Sequence, residues 1–313
     1  MDFIASIRER SKKDPKRIVL PESEDKRIVE ACDYISKKGI AKPILLKDLK
    51  NIDDFDKMVE CFCGIRHEHH RDITKDKAIK LFYNNKLYAA AMMVRMGMAD
   101  GFVAGASHKT SDVARAALSC INVDKRIKVM SGAFLIEIAN SKYGHKGVFV
   151  FSDCGIVPFP TSEQLAGIAV SATGFAEKLL GVKPKVAMLS YSTKGSASTP
   201  NLENVRKAVD MVKGSYPKID IDGELQVDTA LDPDAAKIKD SISGSKVGGK
   251  ANVLIFPNLD SGNIAYKLIQ RLAKARAVGP LLLGLEKPCS DLSRACSIDD
   301  AIDAVAVTSV MTH

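Results

Sequence analysis

The most reactive combination of side chains in the sequence lies just before its last apolar stretch. Residues 291–302 read "DLSRACSIDDAI" and place Ser293, Arg294 and Asp300 within one short polar segment. A carboxylate can accept a proton as a general base, and a guanidinium stabilises negative charge that develops in a transition state. We therefore predict that Asp300 acts as a general base and that Ser293 and Arg294 flank a reacting centre.

Asp300 also fits a structural role. Ser297 and Asp300 have the spacing of a capping box, in which two side chains satisfy free backbone N–H groups at the start of a helix. The two roles are compatible, because a capped helix would fix the loop that presents Ser293 and Arg294. The residues of this segment leave both roles open.

A second polar segment, "LSYSTKGSAS" at residues 189–198, follows an apolar run. Hydroxyls, backbone N–H groups and a lysine ammonium are groups that bind phosphate. We predict that this loop binds a phosphate-bearing ligand, and the alternative is an ordinary polar connection between a strand and a helix. The sequence lacks the glycine patterns of nucleotide-triphosphate and dinucleotide sites, which disfavours both classes. The predicted binding residues are Ser192, Thr193, Lys194, Gly195 and Ser196.

A third candidate is Arg115 in "FVAGASHKTSDVARAAL", residues 102–118. We expect Ser111 and Asp112 to cap a helix and Arg115 to lie about one turn into it. A guanidinium can hold a phosphate or diphosphate through two parallel hydrogen bonds. The alternative is a solvated arginine on a helix surface, which Arg115 alone would favour.

Cysteines and histidines cluster in "CFCGIRHEHHRD", residues 61–72. Zinc ligands are usually spaced C-x2–4-C with a distant second pair, and the C-x-C spacing here fits that pattern poorly. We therefore predict no metal site and leave the role of the cluster open. The seven cysteines are expected to be reduced thiols of a cytoplasmic protein, with Cys154 and Cys296 in structural positions. The cluster consists of Cys61, Cys63, His67, His69 and His70.

The elements that must position these groups follow an α/β pattern. Residues 16–46 contain a short apolar run, a stretch with apolar positions at helical spacing that ends at Gly39, and a second apolar run. This is a βαβ unit, which predicts parallel strands. Continuous apolar runs such as "GVFVF" are typical of strands covered by helices on both faces. Ligands of such sheets bind at the carboxyl ends of the strands, where the polar segments lie.

Composition narrows the class of ligand. The chain has 313 residues, enough for two domains, and is 46% hydrophobic and 27% charged, as in ordinary globular proteins. A net charge of +8 favours an anionic partner. Nucleic acid is disfavoured because the basic residues are scattered, only 6% of residues are aromatic and tryptophan is absent. The sequence contains no stretch of 18 apolar residues, so it predicts no membrane-spanning helix. A phosphorylated small molecule is the favoured partner.

Several long segments together resemble one known family. They are "IVLPESEDKRI", "ADGFVAGASHKTSD", "VAMLSYSTKGSAS", "IDGELQVDTA", "GKANVLIFPNLDSGNIAYKLIQRLAKA" and "KPCSDLSRACS". These segments are similar to those of phosphate acetyltransferases, in the phosphate acetyl/butyryl transferase family. The resemblance covers nearly the whole chain. The sequence departs from the family pattern at Ala295, Ala116 and Asn258, and its segment from Lys47 to Cys63, which precedes Arg66, is short. None of these departures removes a group needed for chemistry.

The resemblance implies a fold. It predicts two α/β domains with mainly parallel, helix-covered sheets and a cleft between them, as in isocitrate and isopropylmalate dehydrogenases. The first domain would comprise residues 1–126 and 285–313, and the second residues 127–284. The chain would thus return to its first domain, which would hold the last helix in place. A homodimer is also implied.

The resemblance further implies a reaction and its residues. Acetyl would move reversibly between coenzyme A and inorganic phosphate, with acetyl-CoA and acetyl phosphate as substrates and no tightly bound cofactor. Ser293, Arg294 and Asp300 match the catalytic residues of the family, and Arg66 and Arg115 match arginines that bind coenzyme A.

Three alternatives differ in activity. A phosphate butyryltransferase, or another short-chain phosphate acyltransferase, would share the catalytic loop and differ in pocket volume. A non-catalytic domain that binds an acyl-CoA is disfavoured by the intact Ser293, Arg294 and Asp300. An NADP-linked dehydrogenase is disfavoured by the missing dinucleotide pattern.

Overall fold

The structure is a computed structural model and describes residues 2–238 and 244–312. Contacts divide the chain into two compact units. Unit 1 is Met1–Val123 with Leu285–His313, and unit 2 is Asp124–Gly284. The first crossing between units thus comes slightly before residue 126, where the sequence places the end of the first domain segment.

The elements alternate between helices and strands along the chain. In the first segment of unit 1 they are α1 (Phe3–Ser11), β1 (Arg17–Leu20), α2 (Lys26–Lys38), β2 (Lys42–Leu45), α3 (Phe55–Glu68), α4 (Lys75–Asn84), α5 (Lys86–Arg95), β3 (Gly101–Ala104) and α6 (Thr110–Cys120). In unit 2 they are β4 (Ser131–Glu137), β5 (Val148–Ser152), α7 (Ser162–Leu180), β6 (Lys185–Leu189), α8 (Pro200–Ser215), β7 (Asp220–Leu225), α9 (Val227–Leu231), α10 (Pro233–Ile238), β8 (Val253–Ile255), α11 (Leu259–Leu272) and β9 (Arg276–Leu283). Unit 1 ends with β10 (Cys289–Asp291) and α12 (Ile298–Met311).

The strands of unit 1 are parallel and lie in the order β2-β1-β3-β10. The predicted βαβ unit is confirmed as β1, α2 and β2. Helix α2 ends at Gly39, whose φ of 67° is the left-handed conformation that glycine adopts most easily. The apolar residues of β1 are fully buried, as expected for a sheet covered by helices.

The sheet of unit 2 is mixed, in the order β9-β4-β5-β8-β6-β7. Strand β4 runs antiparallel to both of its neighbours, β5 and β9, and the remaining pairs are parallel. The chain is therefore an α/β protein whose strand pairs are mostly parallel.

The last helix is held firmly within unit 1. Nearly all residues of α12 are buried, and Thr308 forms a hydrogen bond of 2.6 Å with Ser290 of β10. At Gly101 in β3, a Cβ atom would lie 2.8 Å from the Thr308 side chain, so the close packing of α12 requires glycine there. Arg8 of α1 adds an ion pair of 2.6 Å with Asp303. Across the residues described, every helix is too short or too polar to cross a membrane.

Candidate active site

Two loops leave the sheet of unit 1 side by side. Strands β3 and β10 are parallel and end in register, with Ala104 opposite Asp291. The Leu292 N–H donates to the Ala104 carbonyl at 2.7 Å. Residues 105–109 and 292–297 therefore start at the same point of the carboxyl edge, where α/β sheets bind ligands. We call these the β3 loop and the β10 loop.

The β10 loop carries two of the three predicted catalytic residues, Ser293 and Arg294, and the third, Asp300, lies in the first turn of α12. Ser293 and Arg294 are both exposed, and the Ser293 hydroxyl accepts a hydrogen bond of 3.2 Å from the Ala295 N–H. Among the residues that the structure describes, the Arg294 guanidinium has no hydrogen-bond or ion-pair partner. A free cationic fork at the sheet edge can bind an anion.

Asp300 forms the predicted capping box, which is confirmed. One carboxylate oxygen accepts hydrogen bonds from the Ser297 N–H at 2.8 Å and from the Ser297 hydroxyl at 2.9 Å. The Asp300 N–H donates to the Ser297 hydroxyl at 3.1 Å in return. Asp300 is nevertheless exposed, so the cap orients its carboxyl group without burying it.

Arg27, at the start of α2, ties the two loops together. Its guanidinium donates to the carbonyls of Arg294 at 2.9 Å, Cys296 at 2.8 Å and Ala106 at 2.9 Å. An ion pair of 2.6 Å with Asp25 orients the guanidinium. The rigid array of donors in arginine suits three carbonyls at once. The sequence analysis missed this role, because no local spacing relates Arg27 to a loop 267 positions away.

Glu22, which follows β1, occupies the centre of the β3 loop. Its buried carboxylate accepts hydrogen bonds from the N–H groups of Gly105, Ala106 and Ser107, from the Ser107 hydroxyl and from His108 Nδ1, at 2.7–2.9 Å. Burial acts to raise the pKa of Glu22, but the hydrogen bonds from His108 and Ser107 outweigh it and lower that pKa. Glu22 is therefore a buried carboxylate anion that organises the loop.

Asp291 is a second buried carboxyl group at this edge. One oxygen accepts a hydrogen bond of 2.5 Å from the Thr110 hydroxyl, and the other has no partner among the described residues. Burial raises the pKa of Asp291 to about 7, against the smaller opposite effect of Thr110. Gly105 is required beside it, since a Cβ atom there would lie 2.2 Å from the unpartnered oxygen. Glu22, His108 and Asp291 were not among the predicted site residues, although Glu22 and His108 follow strands and Asp291 ends one, which was a usable signal.

The two predicted arginines of α3 and α6 lie near one tyrosine. Burial raises the pKa of Tyr88 on α5, and the positive charges of Arg115 and Arg66 oppose that rise. Arg66 is half-buried, whereas Arg115 is exposed and pairs with Asp112 at 3.0 Å. The prediction that Ser111 and Asp112 cap α6 is wrong, because α6 begins at Thr110 and its N-cap, Lys109, makes no side-chain capping bond.

The predicted phosphate loop lies in unit 2 and surrounds a carboxylate. The Glu224 carboxylate accepts hydrogen bonds from the Gly195 N–H at 2.8 Å and the Ser192 hydroxyl at 3.0 Å, and it pairs with Arg206 at 2.9 Å. Burial acts to raise the pKa of Glu224, but Arg206 and the loop donors lower it to about 2. Glu224 is thus bound where the sequence predicts an external anion.

The other residues of this loop are also engaged within unit 2. The Lys194 ammonium forms an ion pair with Asp222 and donates to the Gly223 carbonyl at 3.0 Å. The Thr193 hydroxyl accepts from the Gln226 N–H at 3.1 Å, and the Ser196 hydroxyl contacts Ser192 at 3.1 Å. The structure therefore brings the five loop residues together around carboxylates of their own unit, apart in the chain from the residues of unit 1.

The two cysteines expected in structural positions, Cys154 and Cys296, are buried. Burial raises the pKa of Cys296 to about 11 and that of Cys154 well above its usual value, so both are thiols at neutral pH. On α3 and just after it, Cys61 and Cys63 are half-buried while His67, His69 and His70 are exposed. Within residues 2–238 and 244–312, no three His, Cys, Asp or Glu side chains are grouped so that they could hold a metal ion.

Comparison with known proteins places this geometry in a family. The family profile described as "Phosphate acetyl/butaryl transferase" matches residues 2–309. A phosphate acetyltransferase of Acetivibrio thermocellus is 45% identical over 330 aligned positions, which cover 100% of this chain and 99% of the relative. A phosphate acetyltransferase of Thermoanaerobacterium thermosaccharolyticum is 43% identical and fully covered.

A solved structure agrees with the sequence relatives. The crystal structure of a phosphotransacetylase from Streptococcus pyogenes superposes with a TM-score of 0.89 and 36% sequence identity. The superposition covers 99% of this chain and 98% of the other. Both the sequence and the fold therefore lead to the same conclusion: the chain belongs to the phosphate acetyl/butaryl transferase family and is an acyltransferase.

Proposed function

We propose that the protein transfers acetyl reversibly between coenzyme A and inorganic phosphate, so that acetyl-CoA and phosphate give coenzyme A and acetyl phosphate. The observation that carries the proposal is the β10 loop. It presents a guanidinium at Arg294 that has no partner among the described residues, and the first turn of α12, which follows the loop, presents an exposed carboxylate at Asp300. Arg27 holds the main chain at Arg294, and the capping box orients the Asp300 carboxylate.

The chemistry needs no covalent intermediate with the enzyme. In the direction of acetyl phosphate, a phosphate oxygen attacks the thioester carbonyl carbon, the C–S bond breaks and coenzyme A leaves as a thiolate that takes up a proton. In reverse, the coenzyme A thiol gives its proton to Asp300 and attacks acetyl phosphate, and phosphate leaves. The high pKa of the Cys296 thiol agrees with a mechanism in which substrates react directly.

Stabilisation of the negative charge in the transition state contributes more to the rate than the strength of Asp300 as a base. An ordinary aspartate is a weaker base than a thiolate by about 4.6 pKa units, or about 6 kcal/mol, so complete proton transfer before attack is costly. Proton transfer therefore accompanies attack. Arg294 stabilises the thiolate and the developing oxyanion, a contribution typically worth about 3–4 kcal/mol. The Ser293 hydroxyl donates to the sulfur or to the carbonyl oxygen.

Binding roles follow the same scheme. Arg66 and Arg115 bind coenzyme A through its phosphates, consistent with their shared proximity to Tyr88. A substrate-binding role for the predicted phosphate loop requires contacts beyond those that its residues make to Glu224 and Asp222. The loop residues are Ser192, Thr193, Lys194, Gly195 and Ser196.

We further propose that the first domain comprises residues 1–126 and 285–313 and the second residues 127–284, with a cleft as in isocitrate dehydrogenase. We also propose that the protein binds no cofactor tightly, forms a homodimer and is located in the cytoplasm.

A phosphate-dependent assay of coenzyme A release tests the function. We expect release from acetyl-CoA that requires phosphate and exceeds release from propionyl-CoA and butyryl-CoA. A preference for butyryl-CoA would indicate the alternative, a butyryl or other short-chain phosphate acyltransferase, since each methylene contributes about 1–3 kcal/mol to discrimination. Release that is independent of phosphate would contradict both.

A further inference from the structure

The β3 loop contains a charged group to which no role has been assigned. His108 Nδ1 lies 2.7 Å from the Glu22 carboxylate, and the histidine side chain is 31% exposed, against 1% for Glu22. Among the described residues, Glu22 is the only hydrogen-bond partner of the imidazole, so Nε2 has none. The ring is thus fixed through one nitrogen while the other remains available.

The surroundings favour a protonated imidazole. The hydrogen bond to Glu22 raises the pKa of His108, burial lowers it, and the charges of Glu22, Asp112 and Asp291 raise it further. Arg27 faces Glu22 from α2. The other donors to Glu22 are backbone N–H groups and the Ser107 hydroxyl, so His108 supplies the only positive charge in direct contact with this carboxylate within the described chain.

His108 also lies at the edge that carries the β10 loop. Through Arg27, the Ala106 carbonyl of the β3 loop is joined to the carbonyls of Arg294 and Cys296. The Cys296 thiol is influenced by the charges of both Glu22 and Asp300. His108 is therefore linked by hydrogen bonds, through Glu22, the β3 loop and Arg27, to the main chain of the loop that carries Arg294.

We propose that the His108 imidazolium binds a phosphate dianion of the substrates, donating from Nε2–H to a phosphate oxygen, and that Glu22 is the positioning residue that holds and charges it. A cationic donor suits a dianion better than a neutral one. The inference rests on the proposed function, whose substrates carry such a dianion in two places: the reacting phosphate group, free or in acetyl phosphate, and the 3′-phosphate of coenzyme A.

The variant His108→Gln tests the charge while keeping an amide that can bond to Glu22. We expect the KM for one of the two phosphate-bearing substrates to rise about 10- to 100-fold, the range of one charge-assisted hydrogen bond, with kcat changed less than about threefold. A rise for phosphate identifies the reacting anion. A rise for coenzyme A that is absent with 3′-dephospho-coenzyme A identifies the 3′-phosphate. His67→Gln is the matched control, because His67 also pairs with a carboxylate, Asp72 at 2.8 Å, but is 83% exposed.

The pH profile separates binding from a structural role. In the wild type, that KM should rise with pH as His108 loses its proton, above the usual histidine pKa. The rise of KM should be absent in His108→Gln and should move to lower pH in Glu22→Gln. If Glu22 had only a structural role, Glu22→Gln would lower stability without shifting the pH at which KM rises. His108 ring-proton NMR shifts should also respond to phosphate without turnover.

Two outcomes overturn the inference: unchanged KM values in His108→Gln, or a rise of the affected KM with pH that persists in that variant. Failure of the proposed function would look different. The wild type itself would then release no coenzyme A in a phosphate-dependent manner.

Discussion

At the scale of single residues, the candidate site combines exposed and buried charges with different tasks. Arg294 and Asp300 are exposed and can reach a substrate, whereas Glu22 and Asp291 are buried and can act only through their neighbours. Glu22 is saturated with donors, and Asp291 has one unpartnered oxygen. Burial acts to raise the pKa of both carboxyl groups. The many donors around Glu22 outweigh burial and lower its pKa, whereas the single hydroxyl donor at Asp291 does not, so the pKa of Asp291 is raised to about 7.

Removing the guanidinium of Arg294 should abolish most of the activity. We expect Arg294→Ala to lower kcat by about 10²–10³-fold, the usual cost of losing one transition-state donor. Stability should change little, because the side chain has no partner among the described residues. Arg294→Lys keeps the charge but not the planar fork and should recover part of kcat. Comparable kcat in the alanine variant and the wild type would contradict the assignment.

Asp291 should make the protein less stable at alkaline pH. Its folded-state pKa of about 7 lies above the ordinary value, so the folded protein binds more protons than the unfolded chain between about pH 4 and pH 7. The stabilisation that the Asp291 carboxyl group contributes is therefore fully present below pH 4 and is lost as pH rises through 7. Asp291→Asn should raise the free energy of unfolding at pH 8, by about 1–4 kcal/mol, and not at pH 4.

Denaturant unfolding at both pH values measures this effect. Asp234→Asn, at an exposed aspartate of α10, provides the control and should leave the pH dependence as in the wild type. The contrary result is an equal loss of stability in Asp291→Asn at pH 4 and at pH 8. It would show that the Asp291 carboxyl group stabilises the fold through its hydrogen bond and that its buried charge does not destabilise the fold.

At the scale of elements, the site is built from loops that follow parallel strands and is fastened by a helix cap. The register of β3 and β10 sets the β3 and β10 loops side by side, and Arg27 of α2 joins them. Helix α12 begins directly after the β10 loop, and its capping box fixes the loop's end. The start of helix α12 therefore positions the Asp300 carboxylate.

Two substitutions separate the structural and chemical roles of Asp300. Ser297→Ala removes the capping hydroxyl and should lower stability by about 1 kcal/mol while leaving most of kcat. Asp300→Ala removes the cap and the carboxylate together, and it should lower kcat by orders of magnitude at a similar cost in stability. Thermal unfolding and kcat are measured on both variants. Equal kcat values for the two would leave Asp300 with the cap alone.

At the scale of the whole molecule, one buried carboxyl group in each unit makes stability depend on pH, and the two groups act in opposite directions. Asp291 in unit 1 has a raised pKa, whereas Glu224 in unit 2 has a pKa lowered to about 2. A lowered carboxyl pKa contributes stability above its unfolded value, near 4.5, and that stability is lost as pH falls toward 2. Taken together, these two groups therefore favour mildly acidic pH, between the two ranges.

Glu224→Gln should show the acid side of this behaviour. We expect its melting temperature to lie below that of the wild type at pH 7 and the difference to narrow as pH is lowered from 5 to 3. Glu203→Gln is the control, since Glu203 faces the same arginine at 3.8 Å but is 54% exposed. A difference in melting temperature that stays constant with pH would contradict the role given to the Glu224 charge.

The sequence by itself determined those features that depend on neighbours along the chain. The βαβ unit, the end of α2 at Gly39 and the capping box at Ser297 and Asp300 arise from periodicity, backbone freedom and short-range hydrogen bonds, and all three are confirmed. The family also followed from long local motifs.

Only the tertiary structure decided which distant groups meet. Glu22 and the β3 loop are 83 positions or more apart, and Arg27 and Arg294 are 267 apart. The predicted phosphate loop contacts the Glu224 carboxylate, some thirty positions further along the chain, through Gly195 and Ser192. Buried polar groups must find hydrogen-bond partners, and folding alone brings those partners within reach.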